Sequence, residues 1–248
     1  MHDVKTGNAL GLNEKLVRFY FNRVYTPLYD ATTARFSVYR HLQEACASKF
    51  EFKGNESVLC VGIGTGNEIP YLLQRHSGLH LVGIDMSTEA LKKASRRAKS
   101  LDKDVQLHKM DVRNLQFQNE SFDKVLCLHV MDFVDDYEVA TGEIIRVLKK
   151  QGQFVVTYPS KGEGFSLGIN ILKGNLRQNI NSRKYFGALW EIIMQATVSL
   201  IYFPLLLRAK RRCYSRQDLE EIFSNINTVQ FQVEEDTVYM DSIVYGKK

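Results

Sequence analysis

The run Gly62-Ile63-Gly64-Thr65-Gly66-Asn67 offers the first chemistry in this chain. Glycines at alternate positions let a backbone turn tightly and approach a ligand that side chains would exclude. A helix starting just beyond would add free N–H groups and the positive end of its dipole. Asp85 lies 19 residues past Gly66, and an acid at that spacing can accept both hydroxyls of a ribose. Asp111 closes another apolar run beside the same crevice. These residue types suit a nucleotide-like ligand. An ordinary tight turn is the bland alternative for the glycines.

Each of these residues ends a segment that must position it. SVLCVGIG, from Ser57, is nearly continuous in apolar residues, as expected of a strand buried on both faces. LHLVGID, VQLHKMD, DKVLCLHV and GQFVVTYP read as four more strands. Helices are expected at Asn67–Arg75, in STEALKKASRRAKS with Ser87 or Thr88 as cap, and in ATGEIIRVLKK. This alternation means an α/β fold around a mostly parallel sheet, which binds ligands at the carboxyl ends of its strands. SRQDLEEIFSNI is a later helix, and TVQFQV and TVYMDSIVYGKK are expected to pair antiparallel at one end of the sheet. Residues 14–50 read as helical and rich in aromatics, with Pro27 starting or breaking a helix.

Composition excludes several classes. The 248 residues are 44% hydrophobic and 25% charged, with 4 prolines, so the chain is neither disordered nor collagen-like. A net charge of +5 permits an anionic partner without demanding one. Cys46, Cys60, Cys127 and Cys213 form no CxxC pair, so buried thiols in a reducing cytosol are expected, with no metal site. The first fifteen residues lack an apolar run, so secretion is not expected.

The dinucleotide fingerprint would need a glycine at 67, where Asn stands, and the Gly-Lys-Ser/Thr of a P-loop is absent. VLCVGIGTG instead resembles the first motif of the class I S-adenosylmethionine-dependent methyltransferases. LVGIDMS resembles their second motif, KMDVRNL their third, and SFDKVLCLHVMDFVDD their fourth strand and its turn. EIIRVLKKQGQFVV resembles their following helix and fifth strand, and YSRQDLEEIF their late helix. The likeness spans 57–159 and 213–248. Two positions depart from it. Cys60 stands where the family has Asp or Glu near the cofactor's methionine part, and Lys150-Gln151-Gly152 replaces a proline-glycine turn.

The resemblance implies a doubly wound, mostly parallel seven-stranded sheet of Rossmann-like methyltransferase type. It carries an N-terminal helical cap over 1–55, a cofactor-binding core over 56–159, a helical insertion over 160–212 and a C-terminal unit over 213–248. The implied cofactor is S-adenosyl-L-methionine, with S-adenosyl-L-homocysteine as product. Gly62, Gly64 and Gly66 would admit it, Asp85 would hold the ribose, Met86 would pack on the adenine, Asp111 would meet the adenine amino group beside Val112, and Leu128 would line the pocket. RVYTPLYDATTARFSVYRH resembles the Tyr-Asp-bearing helix of ubiquinone/menaquinone C-methyltransferases and related phospholipid N-methyltransferases, where such tyrosines close over the cofactor. That role falls on Tyr25 and Tyr29, with plain helix packing as the alternative.

His129, just past the fourth strand, is the candidate base or orienting group, against a half-buried histidine bonded to backbone. Asp132 is a second candidate, while His41 and His108 have no supporting context. Lys92, Lys93, Arg96, Arg97 and Lys99 share one helix and read as a solvated face. The Asp/Asn-Pro-Pro-aromatic motif of base-methylating enzymes is missing, so no nucleic-acid partner is expected. Residues 188–207 are long and apolar enough to span a bilayer, yet the strands on either side must share one sheet, which excludes a single crossing. A re-entrant hairpin with Pro204 near its bend, a lid, a homodimer surface or a peripheral membrane contact with Arg208–Arg212 remains, and lid or membrane contact alike would give an apolar roof. The expected reaction is methyl transfer to a small, largely hydrophobic acceptor such as a quinone, lipid or aromatic metabolite. The expected setting is cytoplasmic, with membrane association open. A cofactor-binding protein without turnover and a nucleic-acid methyltransferase are the alternatives.

Overall fold

The computed structural model describes residues 37–134, 136–160, 213–236 and 241–248, with 19, 23–24, 26–30 and scattered helical positions between 173 and 200. Among these, seven strands form one sheet. They are β1 (Ser57–Val61), β2 (His80–Asp85), β3 (Val105–Lys109), β4 (Phe122–Cys127), β5 (Leu148–Pro159), β6 (Gln230–Glu235) and β7 (Asp241–Lys247). Their order is β3-β2-β1-β4-β5-β7-β6. The first five run parallel. β7 runs antiparallel between β5 and β6, so the late hairpin turns back into the sheet. The helices are α1 (Thr26–Tyr29), α2 (Ser37–Ser48), α3 (Ile69–Arg75), α4 (Thr88–Ser100), α5 (Tyr137–Val147) and α6 (Arg216–Ser224).

The two-residue period of the strands sorts the core into two layers. On β1, Val58 and Cys60 join Leu42, Leu72 and Ala94 from α2, α3 and α4. Leu59 and Val61 point the other way and join Ile144, Leu219 and Phe223 from α5 and α6. Helices therefore cover both faces, which is why β1 from Val58 to Val61 and β4 from Val125 to Cys127 are apolar.

Local signals explain the element ends. Ser87 accepts from the Ala90 N–H at 3.1 Å and caps α4, whose buried Ala90, Leu91, Ala94 and Ala98 follow the helical repeat. Ser215 and Asp218 form a capping box on α6. Two expected bounds move. The helix expected over 140–150 lies at 137–147, because Leu148 already pairs with Phe122 on β4. Gln151 then takes a left-handed turn at φ 62° before pairing resumes at Gln153. α3 begins at Ile69, with proline in its first turn.

Cys46, Cys60 and Cys127 are buried, and none of the four cysteines forms a disulfide. Among the described residues, no helix is long and apolar enough to cross a membrane. Most of 188–207, and all of Arg208–Arg212, lie outside the described residues, as does Tyr25.

Phe154 is fully buried and stacks on Phe223 with centroids 5.5 Å apart. Phe154→Ala is expected to cost about 3–5 kcal/mol by urea denaturation, the range for a large buried ring replaced by a cavity.

Candidate active site

The parallel strands deliver their carboxyl ends to one edge, and the glycine turn leaves β1 there. Gly62, Gly64 and Gly66 have φ of 65°, 53° and 77°, a region that β-carbons disfavour. Each glycine serves a different need. A Cβ at Gly62 would lie 2.1 Å from Val130 Cγ2, and one at Gly66 would lie 2.8 Å from Ile69 Cδ1. A Cβ at Gly64 would meet nothing closer than the Gly62 carbonyl at 3.8 Å. Two glycines let chain pack on chain, and the middle one faces open space.

Asp85 ends β2 beside this turn. One carboxylate oxygen accepts from the Gly64 N–H at 2.9 Å, the other from the Ser87 N–H at 2.7 Å. Burial pushes its carboxyl above the ordinary value, and the backbone N–H bonds from Ser87, Gly64 and Met86 pull it partly back. Met86 is 39% exposed at the same corner. The Met110 N–H reaches the Asp85 carbonyl at 3.3 Å, tying the end of β3 to that of β2. Asp111 follows there, with its carboxylate bonded to Arg113 at 2.6 Å and 3.0 Å. Val112 and Leu128 are buried along the same edge.

The leading segment reaches the turn through Asp30. Its carboxylate accepts from the Thr65 hydroxyl at 2.6 Å and pairs with Lys93 at 3.1 Å and Arg97 at 3.2 Å. Arg97 also donates to the Thr65 carbonyl at 3.0 Å. The expectation of a solvated basic face is therefore corrected for Lys93 and Arg97, which lie half-buried on the core side of α4. Lys92, Arg96 and Lys99 are exposed.

His129 stands on the opposite rim. Its φ is 54°, so the chain bends sharply after β4. Its N–H donates to Thr157 Oγ1 at 2.9 Å, and its Nδ1 lies 3.0 Å from Asp241 Oδ2. Its ring stacks on Tyr39 with centroids 5.2 Å apart, and the Tyr39 and Tyr29 hydroxyls bond each other. Tyr29 thus joins the histidine side of the cleft. The side chain of Asp132 lies outside the described residues; His41 and His108 are exposed.

Sequence reasoning passed over two buried acids. Glu68, just after the glycines, is 7% exposed. Burial, with the Asp85 charge as a lesser cause, raises its pKa to about 8, while Arg97 and His129 act the other way. Burial first and the Glu68 charge second raise the Cys60 thiol, so an acid does act on Cys60, supplied by the next turn. Asp241, 2% exposed, opens β7. An acid two residues before the apolar run Ile243-Val244-Tyr245 was the available signal.

Residues 59–156 match a family described as methyltransferase domain. This segment is similar to methyltransferase domains. The domain is 35% identical over 101 residues to phosphatidylethanolamine N-methyltransferase of Cereibacter sphaeroides, covering 40% of this chain and 48% of that one. It is 33% identical over 104 residues to demethylmenaquinone methyltransferase of Thermus thermophilus, covering 42% and 47%. The chain thus spans about half the length of these curated relatives. The fold matches magnesium protoporphyrin IX methyltransferase from Synechocystis PCC 6803 with bound SAH, at TM-score 0.64 and 14% identity over 94% of this chain and 99% of that one.

The cleft has features that an adenosyl sulfonium would need. It has open space before Gly64, a carboxylate at the end of β2 and an exposed thioether beside it. Among the described residues, no group of three His, Cys, Asp or Glu is arranged to hold a metal ion.

Two expectations follow. Gly62→Ala forces a methyl into Val130, whose branched side chain is stiff, whereas Gly64→Ala meets only backbone strain of about 1 kcal/mol. Denaturation should therefore show Gly62→Ala as much the less stable of the two. For Glu68, the raised pKa means that the fold disfavours its ionised form. Its neutral form is stable below the ordinary value of 4.5, and stability falls as pH rises from there to about 8. The melting temperature of Glu68→Gln should match that of the parent near pH 4.5, exceed it increasingly up to pH 8, and hold a constant gap above.

Proposed function

We propose that this chain transfers a methyl group from S-adenosylmethionine to a small, largely hydrophobic acceptor. The observation that carries the reading is the bond from the Gly64 N–H to Asp85 across two adjacent strand ends. Asp85 would hold the ribose hydroxyls, Met86 would cover the adenine, and Asp111 with Val112 would bound its edge. The turn that Gly62 and Gly66 allow would admit the main body of the cofactor at Gly64, and Leu128 would line the pocket. The bound cofactor supplies a methyl group already activated by sulfonium charge. The chain's own residues need only align the acceptor, exclude water and receive any proton it loses. Tyr29, Tyr39 and His129 wall the side where the acceptor would enter.

Two observations support a hydrophobic acceptor. The matched relatives are named for phosphatidylethanolamine, demethylmenaquinone and, in Kluyveromyces lactis, a sterol. The described part of the insertion also exposes Phe186, Leu189, Trp190, Ile193 and Leu200, an apolar set that suits a lipid surface, a second copy or a roof over the cleft. We favour peripheral contact with a membrane that holds the acceptor.

The chain should be incubated with S-adenosylmethionine and a host lipid extract, and the extract searched by mass spectrometry for species heavier by one CH2. Such a species is the expected result. Binding of S-adenosylhomocysteine with no methylated product would favour a binding protein instead. In calorimetry, Asp85→Ala should weaken S-adenosylhomocysteine binding by about 1–3 kcal/mol, the cost of losing a charged hydrogen-bond partner. Unchanged affinity would overturn the ribose assignment.

A further inference from the structure

We propose that the insertion between β5 and α6 docks this chain on an anionic lipid bilayer. The outward apolar stripe of 186–200 lies among the acyl chains, and the cofactor edge of the sheet is held at the headgroups. This deepens the methyl-transfer reading above and rests on it only for what the docking serves.

The stripe faces the wrong way for a globular core. The described positions between 186 and 200 are helical, and the Thr197 hydroxyl donates to the Ile193 carbonyl, one turn back, at 2.9 Å. Leu189, Trp190, Ile193 and Leu200 stand three, four, seven and fourteen residues after Phe186. That spacing sets all five on one helix face. A surface helix ordinarily turns such a face to the core. Here Phe186 is 92% and Leu200 76% exposed, and the other three are exposed as well. A face of this kind lies flat at the boundary of headgroups and acyl chains, a depth that also suits an indole.

Charge selects the bilayer among the occupants. Residues 160–212 carry nine Lys and Arg against Glu163 and Glu191, a net +7, whereas the remainder of the chain is net −2. The cations flank the stripe in sequence, with Arg183-Lys184 directly before it and Arg208-Ala209-Lys210-Arg211-Arg212 after it. Earlier in the insertion, Lys173 and Arg177 are exposed. Two copies joined through this segment would bring like charges together. A roof over the cleft would bury the stripe against the chain. An anionic membrane answers both features, because its headgroups attract the cations and its acyl chains take the apolar face.

The two ends of the insertion meet at the ligand edge of the sheet. Ser160 forms a parallel bridge with Tyr214, and the Tyr214 N–H donates to the Pro159 carbonyl at 2.8 Å. Both contacts lie at the carboxyl end of β5, where Thr157 also accepts from the His129 N–H on the cleft rim. A segment that leaves and returns there tethers this edge of the sheet to the surface it binds. An acceptor dissolved in the bilayer then reaches the cleft without crossing bulk water.

Trp190 is the single tryptophan of the chain, so its fluorescence reads the stripe directly. The full chain, without cofactor, is mixed with vesicles of phosphatidylcholine alone or of phosphatidylcholine and phosphatidylglycerol in equal parts. With the anionic vesicles its emission should move to the blue and be quenched by lipids brominated on their acyl chains. Affinity for them should exceed that for neutral vesicles by about tenfold or more, and fall by a similar factor between about 50 mM and about 500 mM salt. Phe186→Ser combined with Ile193→Ser changes two exposed positions. It should weaken vesicle binding by about tenfold or more while leaving the melting temperature at the parent value. Equal binding to both vesicles, no emission change with either, or a double variant that binds as the parent does would overturn the docking. So would a blue shift that follows protein concentration without lipid, which marks a second copy, or one that follows S-adenosylhomocysteine alone, which marks a roof. Binding to duplex RNA and to no vesicle would overturn it too. Binding to anionic vesicles by a chain that takes up no S-adenosylhomocysteine would uphold the docking and count against the methyl-transfer reading.

Discussion

The Gly64 N–H and the Asp85 carboxylate meet across the ends of two parallel strands, and the rest of the cleft depends on that contact. A buried carboxylate is costly unless backbone donors surround it. Here the donors come from the glycine turn and from the start of α4, so one side chain organises two loops. The left-handed glycines follow from this geometry, because only a tight turn brings the Gly64 amide back to β2.

Two supports brace that corner. From outside, Asp30 spans Thr65, Lys93 and Arg97 and holds the leading segment to the glycine turn. From beneath, Glu68 and Cys60 occupy the place where the family resemblance led to one strand acid. Burial keeps both largely protonated near neutral pH, so the floor of the cleft carries little charge.

The opposite rim is built from remote parts of the chain. Tyr29 and Tyr39 precede the sheet, His129 follows β4, Thr157 lies on β5 and Asp241 opens β7. Only the placement of β7 between β5 and β6 brings the acid to the imidazole. A hairpin added in plain sequence order would have put β6 beside β5 and left Asp241 one strand away.

The glycine turn, Asp85 and the strand–helix alternation were legible in the sequence because each is a local signal. Period-two and period-3.6 patterns, caps and glycine spacing act over a few residues, and the ligand edge follows from the strand ends. The His129–Asp241 contact, the buried state of Glu68 and the engagement of Lys93 and Arg97 were not legible. Each depends on which distant side chain arrives opposite, and on how much water that arrival removes. The sequence by itself therefore determined the fold class and the cofactor edge. Only the tertiary structure decided which acids are buried, which base has a partner and which cations are not solvent-facing, because burial and charge pairing are properties of the packed chain.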